Sequence, residues 1–176
     1  MNRRRLVEAA TSLLNLARTG WMLRGVPGSL AETVAEHSFL TAFICLELAD
    51  DVQVGDVGKL AVYGLLHDLG EAFIGDIVKN FESRIGEVKD HIELDSVEKG
   101  IESEVVKRFY QHYALQQDFE ANMAKLCNYI ATYLIGLKYK KMGFNVDDIV
   151  ENTKREIEEF SRRLGIWDIV KKRYLD

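Results

Sequence analysis

The chain has 176 residues, of which 47% are hydrophobic and 29% charged, and its formal net charge is -5. This length allows one hydrophobic core without disulfides or a structural metal, so we expect a single domain over residues 1–176. The negative charge argues against binding of a nucleic-acid polymer, because contact with a phosphate backbone requires a basic surface. The net negative charge is compatible with a small anionic substrate.

The first residues, MNRRRLVEAATSLLNLA, predict neither a signal peptide nor a membrane span, because polar residues interrupt the apolar pattern at helical spacing. The interrupting residues are Glu8, Thr11, Ser12 and Asn15. The cysteines are Cys45 and Cys127 alone. We therefore expect no disulfide framework and a reduced, cytoplasmic environment.

Apolar residues recur at spacings of three and four, and no alternating β pattern interrupts them, which predicts an all-α fold of about six or seven helices. The predicted helices cover about residues 4–17, a segment from Val34, residues 56–69, 87–113, 118–141 and 147–162, and a short stretch near the C-terminus. Thr33 and Glu36 predict a capping box. Gly70 predicts the end of the helix over 56–69.

The stretch LLHDLGEAFIGDI, residues 65–77, places ionisable residues among apolar ones. They are His67, Asp68, Glu71 and Asp76. Burial of such groups is costly unless they pair or bind a cation. The stretch therefore predicts a functional site.

His37 lies on the inward face of its predicted helix. By itself it is typical of a hydrogen-bonded core histidine. Together with His67 and Asp68 it offers the imidazole and carboxylate ligands that divalent cations accept. Adjacent residues of one helix point in different directions, so His67 and Asp68 can share an ion only where the helix ends.

Glu36-His37, followed thirty residues later by His67-Asp68 and LGEAFIGD, resembles the HD-domain metallophosphohydrolases. Within them the chain is most similar to the YfbR-like 5'-deoxynucleotidases and the HD-domain-containing protein 2 group, most strongly over residues 18–77. The resemblance implies an HD-domain helical bundle that binds one divalent ion, such as Mn, Co, Ni, Zn or Mg. It assigns His37, His67 and Asp68 as ligands.

By the same resemblance, Glu71 and Asp76 are the acidic pair that acts around the attacking water and the leaving group. Hydrolysis of a phosphomonoester requires such proton transfer beside the metal. The alternative is structural, with one carboxylate at a helix end and the other capping the next helix.

The resemblance also implies that an arginine and a tryptophan bind the phosphate and the deoxyribose. Arg18 and Trp21 are the residues that we assign, although the spacing also allows Arg24. A guanidinium suits the task because it binds two phosphate oxygens at once. Alternatively, Trp21 covers the core.

Where the family has a fourth ligand, an aspartate on a later helix, this sequence has Asn128. Asp118 lies ten residues away, about 15 Å along a helix, and cannot replace it. Asn128 is either a neutral, weaker ligand or a residue at a close helix contact.

These observations favour a metal-dependent 5'-nucleotidase that acts on deoxyribonucleoside 5'-monophosphates and, by resemblance, forms a homodimer or higher homo-oligomer. One alternative is a phosphohydrolase for another nucleotide phosphoester. The other is a degenerate HD domain that binds a nucleotide or partner without turnover. His91 and His112 lie in polar helices, and we assign them no role.

Overall fold

The fold is all-α, as the apolar spacing predicts. A computed structural model describes residues 5–176, except for the side chains of residues 79–87. Its helices are α1 (Leu6–Leu14), α2 (Thr19–Met22), α3 (Val34–Val52), α4 (Val57–Leu66), α5 (Glu71–Ile74), α6 (Lys79–Gly100), α7 (Glu104–Ala114), α8 (Phe119–Lys141), α9 (Asp147–Arg163) and α10 (Trp167–Tyr174). Within the described range there is no strand, only an isolated bridge between Ala17 and Thr33. Every helix described is too short or too polar to be a membrane span.

Helices α8 and α9 have the predicted bounds, 118–141 and 147–162, to within one residue. The predicted capping box of α3 is also confirmed. Thr33 Oγ1 accepts from the backbone N–H of Glu36 at 3.1 Å, and Glu36 Oε2 accepts from that of Thr33 at 2.7 Å.

The first helix ends three residues earlier than the predicted 4–17, and residue 4 itself lies outside the described range. The following chain is extended because it pairs with the segment before α3. Backbone hydrogen bonds join Arg18 N to Glu32 O at 2.9 Å and Val34 N to Leu16 O at 2.8 Å. This pairing brings the Arg18 segment beside the start of α3.

The predicted end of the 56–69 helix at Gly70 is too late, because α4 ends at Leu66. Residues 67–70 form a tight turn whose hydrogen bonds span three residues, including Leu69 N to Leu66 O at 2.9 Å and Glu71 N to Asp68 O at 3.1 Å. His67 and Asp68 therefore lie in the turn itself.

The single helix predicted over 87–113 begins earlier, at Lys79, and is divided into α6 and α7. With the four-residue helices α2 and α5, this division raises the number of helices above the predicted six or seven. Ile101 is extended, with φ -100° and ψ 142°. Ser103 then caps α7 by accepting from the backbone N–H of Val106 at 3.4 Å. Cap chemistry overrides the apolar spacing here.

Helices α3, α4 and α8 pack against one another, and α9 covers α8. The core consists of a large apolar cluster around these helices and a smaller one between α1, α6 and α7. Helix α3 reaches both, because Val34 belongs to the smaller cluster and Ile44 to the larger. His37 lies between these two positions on α3.

Gly64 sets the distance between α3 and α4. A Cβ atom at this position would lie 2.9 Å from Cys45 Sγ and 3.0 Å from Ala42 Cα. Both contacts are shorter than packed atoms tolerate. The absence of a side chain therefore allows the close approach of the two helices.

We expect Gly64→Ala to lower the free energy of unfolding by about 1–3 kcal/mol, because the added methyl group overpacks the α3–α4 contact. Gly58→Ala is the matched control on the same helix, since its Cβ would lie 3.5 Å from the nearest side-chain atom. Its better helix propensity predicts a gain of about 0.5–1 kcal/mol. Urea denaturation measures both, and equal stabilities would contradict the packing argument.

Candidate functional site

Most of the predicted site residues line one cavity of about 420 Å³. Those in its wall are Arg18, Trp21, His67, Asp68, Glu71, Asp76 and Asn128. His37 is fully buried and is not a wall residue. Its Nε2 lies 2.9 Å from Asn128 Oδ1 and 3.8 Å from Asp68 Oδ2, so it contacts the site from behind.

His37, His67 and Asp68 form a cluster with metal-ligand geometry. They are the one such group among the described residues, and a ligand atom from each lies within 4.8 Å of the other two. The two imidazole rings meet edge to face, with centroids 5.1 Å apart. Helix α3 supplies His37, and the turn after α4 supplies the other two.

The tautomer of His67 is determined by the backbone. Its Nδ1–H donates to Gly64 O at 2.8 Å, which leaves a lone pair on Nε2. No described residue makes a well-directed hydrogen bond with Nε2, although Asp68 Oδ2 lies 3.0 Å away. A buried imidazole nitrogen next to a carboxylate oxygen fits a cation well.

Electrostatic interactions favour neutral His37 and ionised Asp68, the protonation states in which these side chains bind a metal ion. Burial, with the neighbouring Arg18 and His67, holds the pKa of His37 well below its usual range, so the ring is neutral near pH 7. Burial opposes ionisation of Asp68, but His67 and Arg18 nevertheless lower the pKa of that carboxyl. The donor set, two imidazoles and one carboxylate, fits a divalent ion.

Glu71 is a buried carboxyl with 5% exposure, and among the described residues its Oε2 has no hydrogen-bond partner. Burial and the nearby Asp68 and Asp76 raise the pKa of Glu71 well above its usual value. A carboxyl in this state can carry a proton at neutral pH.

Asp76 tethers the Arg18 segment. Its Oδ2 accepts a hydrogen bond from the backbone N–H of Thr19, and its backbone carbonyl accepts from Thr19 Oγ1 at 3.1 Å. The structural alternative for Asp76, capping the next helix, does not apply, because Val78 precedes α6 at the cap position.

The two candidate arginines have different environments. Arg18 is half-buried in the cavity, and its Nη1 lies 3.3 Å from Asp68 Oδ2. Arg24 instead pairs with Asp148 on α9, with Nε 3.2 Å from Oδ1. The structure therefore brings Arg18, and not Arg24, to the cluster.

Trp21 lies in a short helix between the first two predicted helices, where the sequence predicts none, and is 2% exposed. Its ring packs edge to face against Tyr139, with centroids 5.2 Å apart. Its Nε1–H donates to Glu32 Oε1 at 2.9 Å. Trp21 thus covers the core and also contributes to the cavity wall.

Asn128 reaches the cluster from α8. Its Oδ1 lies 2.9 Å from His37 Nε2, close enough to share a bound ion with that nitrogen. The amide is neutral, so it adds no negative charge beside Asp68. Both interpretations of Asn128, as a neutral metal ligand and as a residue at a close helix contact, are compatible with this proximity to His37.

Several residues of the site are missing from the sequence prediction. They are Glu32 behind the cavity and Lys89, Glu93, Tyr110 and Tyr113 in its wall. Burial raises the pKa of Glu93 to about 7, and Lys89 lies 3.5 Å from it. The four-residue spacing of Lys89 and Glu93 is a signal in the sequence, but such pairs are commonest on solvated helix faces.

The comparisons with known proteins agree with this architecture. The family model described as HD domain matches residues 10–164. Over 123 residues the chain is 29% identical to 5'-deoxynucleotidase HDDC2 of Dictyostelium discoideum, a match that covers 65% of this chain and 63% of that protein. The match thus spans less than two thirds of the length of this relative.

Two solved structures have a similar fold. A conserved hypothetical protein from Pyrococcus furiosus is 26% identical, with a TM-score of 0.80 over 95% of this chain and 98% of its own. A protein from Pyrococcus horikoshii OT3 is also 26% identical, with a TM-score of 0.74 over 93% of this chain and 97% of its own. With the match to the family model, the fold and the histidine–aspartate cluster lead to one conclusion: the chain belongs to the HD-domain family.

Proposed function

We propose that this HD-domain protein is a 5'-nucleotidase that releases phosphate from deoxyribonucleoside 5'-monophosphates. The observation that carries the proposal is the cluster of His37, His67 and Asp68 beside a cavity with a half-buried arginine and a buried glutamate. HD domains bind divalent metal, and the similarity to a 5'-deoxynucleotidase supports the choice of substrate.

A divalent ion bound to His37, His67 and Asp68 would lower the pKa of a coordinated water and neutralise phosphate charge. Arg18 binds the phosphate oxygens through its terminal nitrogens and orients the phosphorus towards the water. Glu71, whose pKa is raised by burial, gives its proton to the leaving 5'-oxygen as the P–O bond breaks. Asp76 holds the backbone beside Arg18, and its assignment to the acidic pair that acts with the attacking water stays a prediction of the resemblance.

Asn128 is proposed as a fourth, neutral ligand. Its Oδ1 already lies 2.9 Å from His37 Nε2. An amide oxygen supplies less compensating charge than a carboxylate, so it binds the ion more weakly.

Homodimer or higher homo-oligomer formation and a cytoplasmic location stay predictions of the resemblance and of cysteine usage, and the single domain over residues 1–176 also stays a prediction. Support for self-association comes from three exposed apolar side chains on one face of α3. These are Phe39, Phe43 and Leu46. A two-fold axis would place this uncharged stripe against its own copy.

The metal site predicts that His67→Ala loses its ion. Protein treated with a chelator and refilled with Mn²⁺ should hold one ion per chain in the wild type and much less in the variant, as elemental analysis can measure. His112→Ala, at an exposed position, is the control and should bind like the wild type. Undiminished binding by His67→Ala would remove the site.

A titration of Asn128→Asp with the same ion extends this test. If Asn128 is a ligand, the introduced carboxylate should tighten binding. If it only fills a helix contact, the affinity should stay unchanged and the melting temperature should fall with and without metal, because a buried charge is added.

Glu71→Gln should lower kcat by about 100-fold to 10,000-fold, because the amide cannot transfer a proton. The metal content should stay at the wild-type level. The pH dependence of the free energy of unfolding tests the raised pKa of Glu71 independently of activity. Because this pKa is raised, the folded chain binds the Glu71 proton more tightly than the unfolded chain. The wild type therefore loses stability as the pH rises above the ordinary value of 4.5, and Glu71→Gln should lose less over the same range. Full activity of the variant would contradict the role of Glu71.

The substrate is tested by phosphate release from deoxyribonucleoside and ribonucleoside 5'-monophosphates, with cyclic nucleotides and triphosphates included, in Mn²⁺ or Co²⁺. We expect fastest release from the deoxyribonucleotides. Trp21→Phe, which keeps most of the buried volume, should narrow the preference for deoxyribose over ribose. Faster release from a cyclic or triphosphorylated nucleotide would favour the other phosphohydrolase. Binding without release from any compound would favour the degenerate domain, for which the neutral Asn128 is the motivating observation.

A further inference from the structure

Three hydrogen-bond donors converge on one buried oxygen behind the cavity. Oε1 of Glu32 lies 2.9 Å from Trp21 Nε1, 3.6 Å from Arg18 Nε and 3.8 Å from His37 Nδ1. The donors belong to the proposed deoxyribose, phosphate and metal sites respectively. Glu32 itself is 7% exposed and does not line the cavity.

The backbone around Glu32 is fixed on both sides. Its carbonyl accepts from Arg18 N at 2.9 Å, and its N–H donates to Tyr139 Oη at 2.8 Å. Tyr139 Oη donates in turn to Leu30 O at 2.9 Å. A carboxylate on such a fixed backbone can hold other side chains in place.

We propose that Glu32 is a positioning residue that orients His37 towards the metal and Arg18 towards the phosphate. The proposal rests on the proposed function, since it takes His37 as a ligand and Arg18 as the phosphate-binding group. It assigns to one buried carboxylate the task of joining the two sites.

The argument for His37 begins with its ring nitrogens. A metal ion on Nε2 requires the proton on Nδ1, and the buried Nδ1 has no hydrogen-bond partner among the described residues. Glu32 Oε1 is the carboxylate that faces it. A shift of about 1 Å would bring their 3.8 Å separation to hydrogen-bond length. Metal-bound imidazoles almost always donate their second N–H to such a group.

The argument for Arg18 concerns which end of the guanidinium is engaged. Nε faces Glu32, whereas Nη1 and Nη2 face Asp68 and Thr132 at 3.3 and 3.5 Å. Glu32 thus holds the side of the guanidinium next to the aliphatic stem. The terminal nitrogens stay on the cavity side, where two phosphate oxygens can bind them.

The test compares Glu32→Gln with Glu36→Gln. Glu36 is exposed, lies four residues away and accepts from the backbone N–H of the cap residue Thr33, where the amide oxygen of glutamine can still accept. Isothermal titration of chelated protein with Zn²⁺ alone should give an affinity about 10-fold to 100-fold weaker for Glu32→Gln than for the wild type. Glu36→Gln should bind like the wild type.

Titration of the zinc-loaded proteins with inorganic phosphate measures the second half of the proposal. At saturating Zn²⁺, Glu32→Gln should bind phosphate more weakly than Glu36→Gln, because its Arg18 is less well oriented. Unchanged affinities for both ions in Glu32→Gln would overturn the proposal, even if the variant melts at a lower temperature. Absence of Zn²⁺ binding by the wild type would instead overturn the proposed function.

A measurement on the wild type keeps the proposal testable if Glu32→Gln does not fold. Long-range ¹H–¹⁵N spectra of the zinc-loaded protein report which imidazole nitrogen of His37 carries the proton. We expect protonated Nδ1 with the shift of a hydrogen-bonded donor and metal-bound Nε2. A proton on Nε2 of His37 in protein that holds zinc would overturn the role of Glu32.

Discussion

The approach of α3 to α4 at Gly64 determines where the ligand atoms lie. Without a side chain at this position, α4 packs directly on Ala42 and Cys45 of α3. The two histidine rings, one from each side of this contact, then meet with centroids 5.1 Å apart. The same glycine provides the carbonyl that orients His67. One close helix contact thus sets both the spacing of the two histidine rings and the tautomer of His67.

The turn that follows α4 makes adjacent residues act together. On a continued helix His67 and Asp68 would point about 100° apart. Residues 67–70 instead form a turn whose hydrogen bonds span three residues, and in it Asp68 Oδ2 lies 3.0 Å from His67 Nε2. The ionisable residues of this stretch can be buried because they are neighbours of one another and of Arg18, which compensates part of their charge.

The charge of the site follows from its few anionic ligands. Asp68 is the one carboxylate in the described ligand cluster, and Asn128 is neutral. An ion held in this way keeps more positive charge than one held by two carboxylates. Together with Arg18, such a centre favours an anionic phosphate ester over a neutral substrate. If Asn128 is the fourth ligand, as proposed, weaker metal binding and stronger attraction for phosphate are two consequences of the same residue.

The sequence by itself determined the helical class and the ends of α8 and α9, because apolar spacing is a local property. It also predicted the ligand cluster, from ligand chemistry and the family resemblance. It did not determine the break between α6 and α7, where the cap at Ser103 overrides the spacing. Nor did it indicate Glu32. That residue reaches Arg18, Trp21 and His37 because two segments pair through the bridge of Ala17 with Thr33. Only the tertiary structure decides such a contact, since it depends on backbone pairing between distant residues and not on any repeating pattern along the chain.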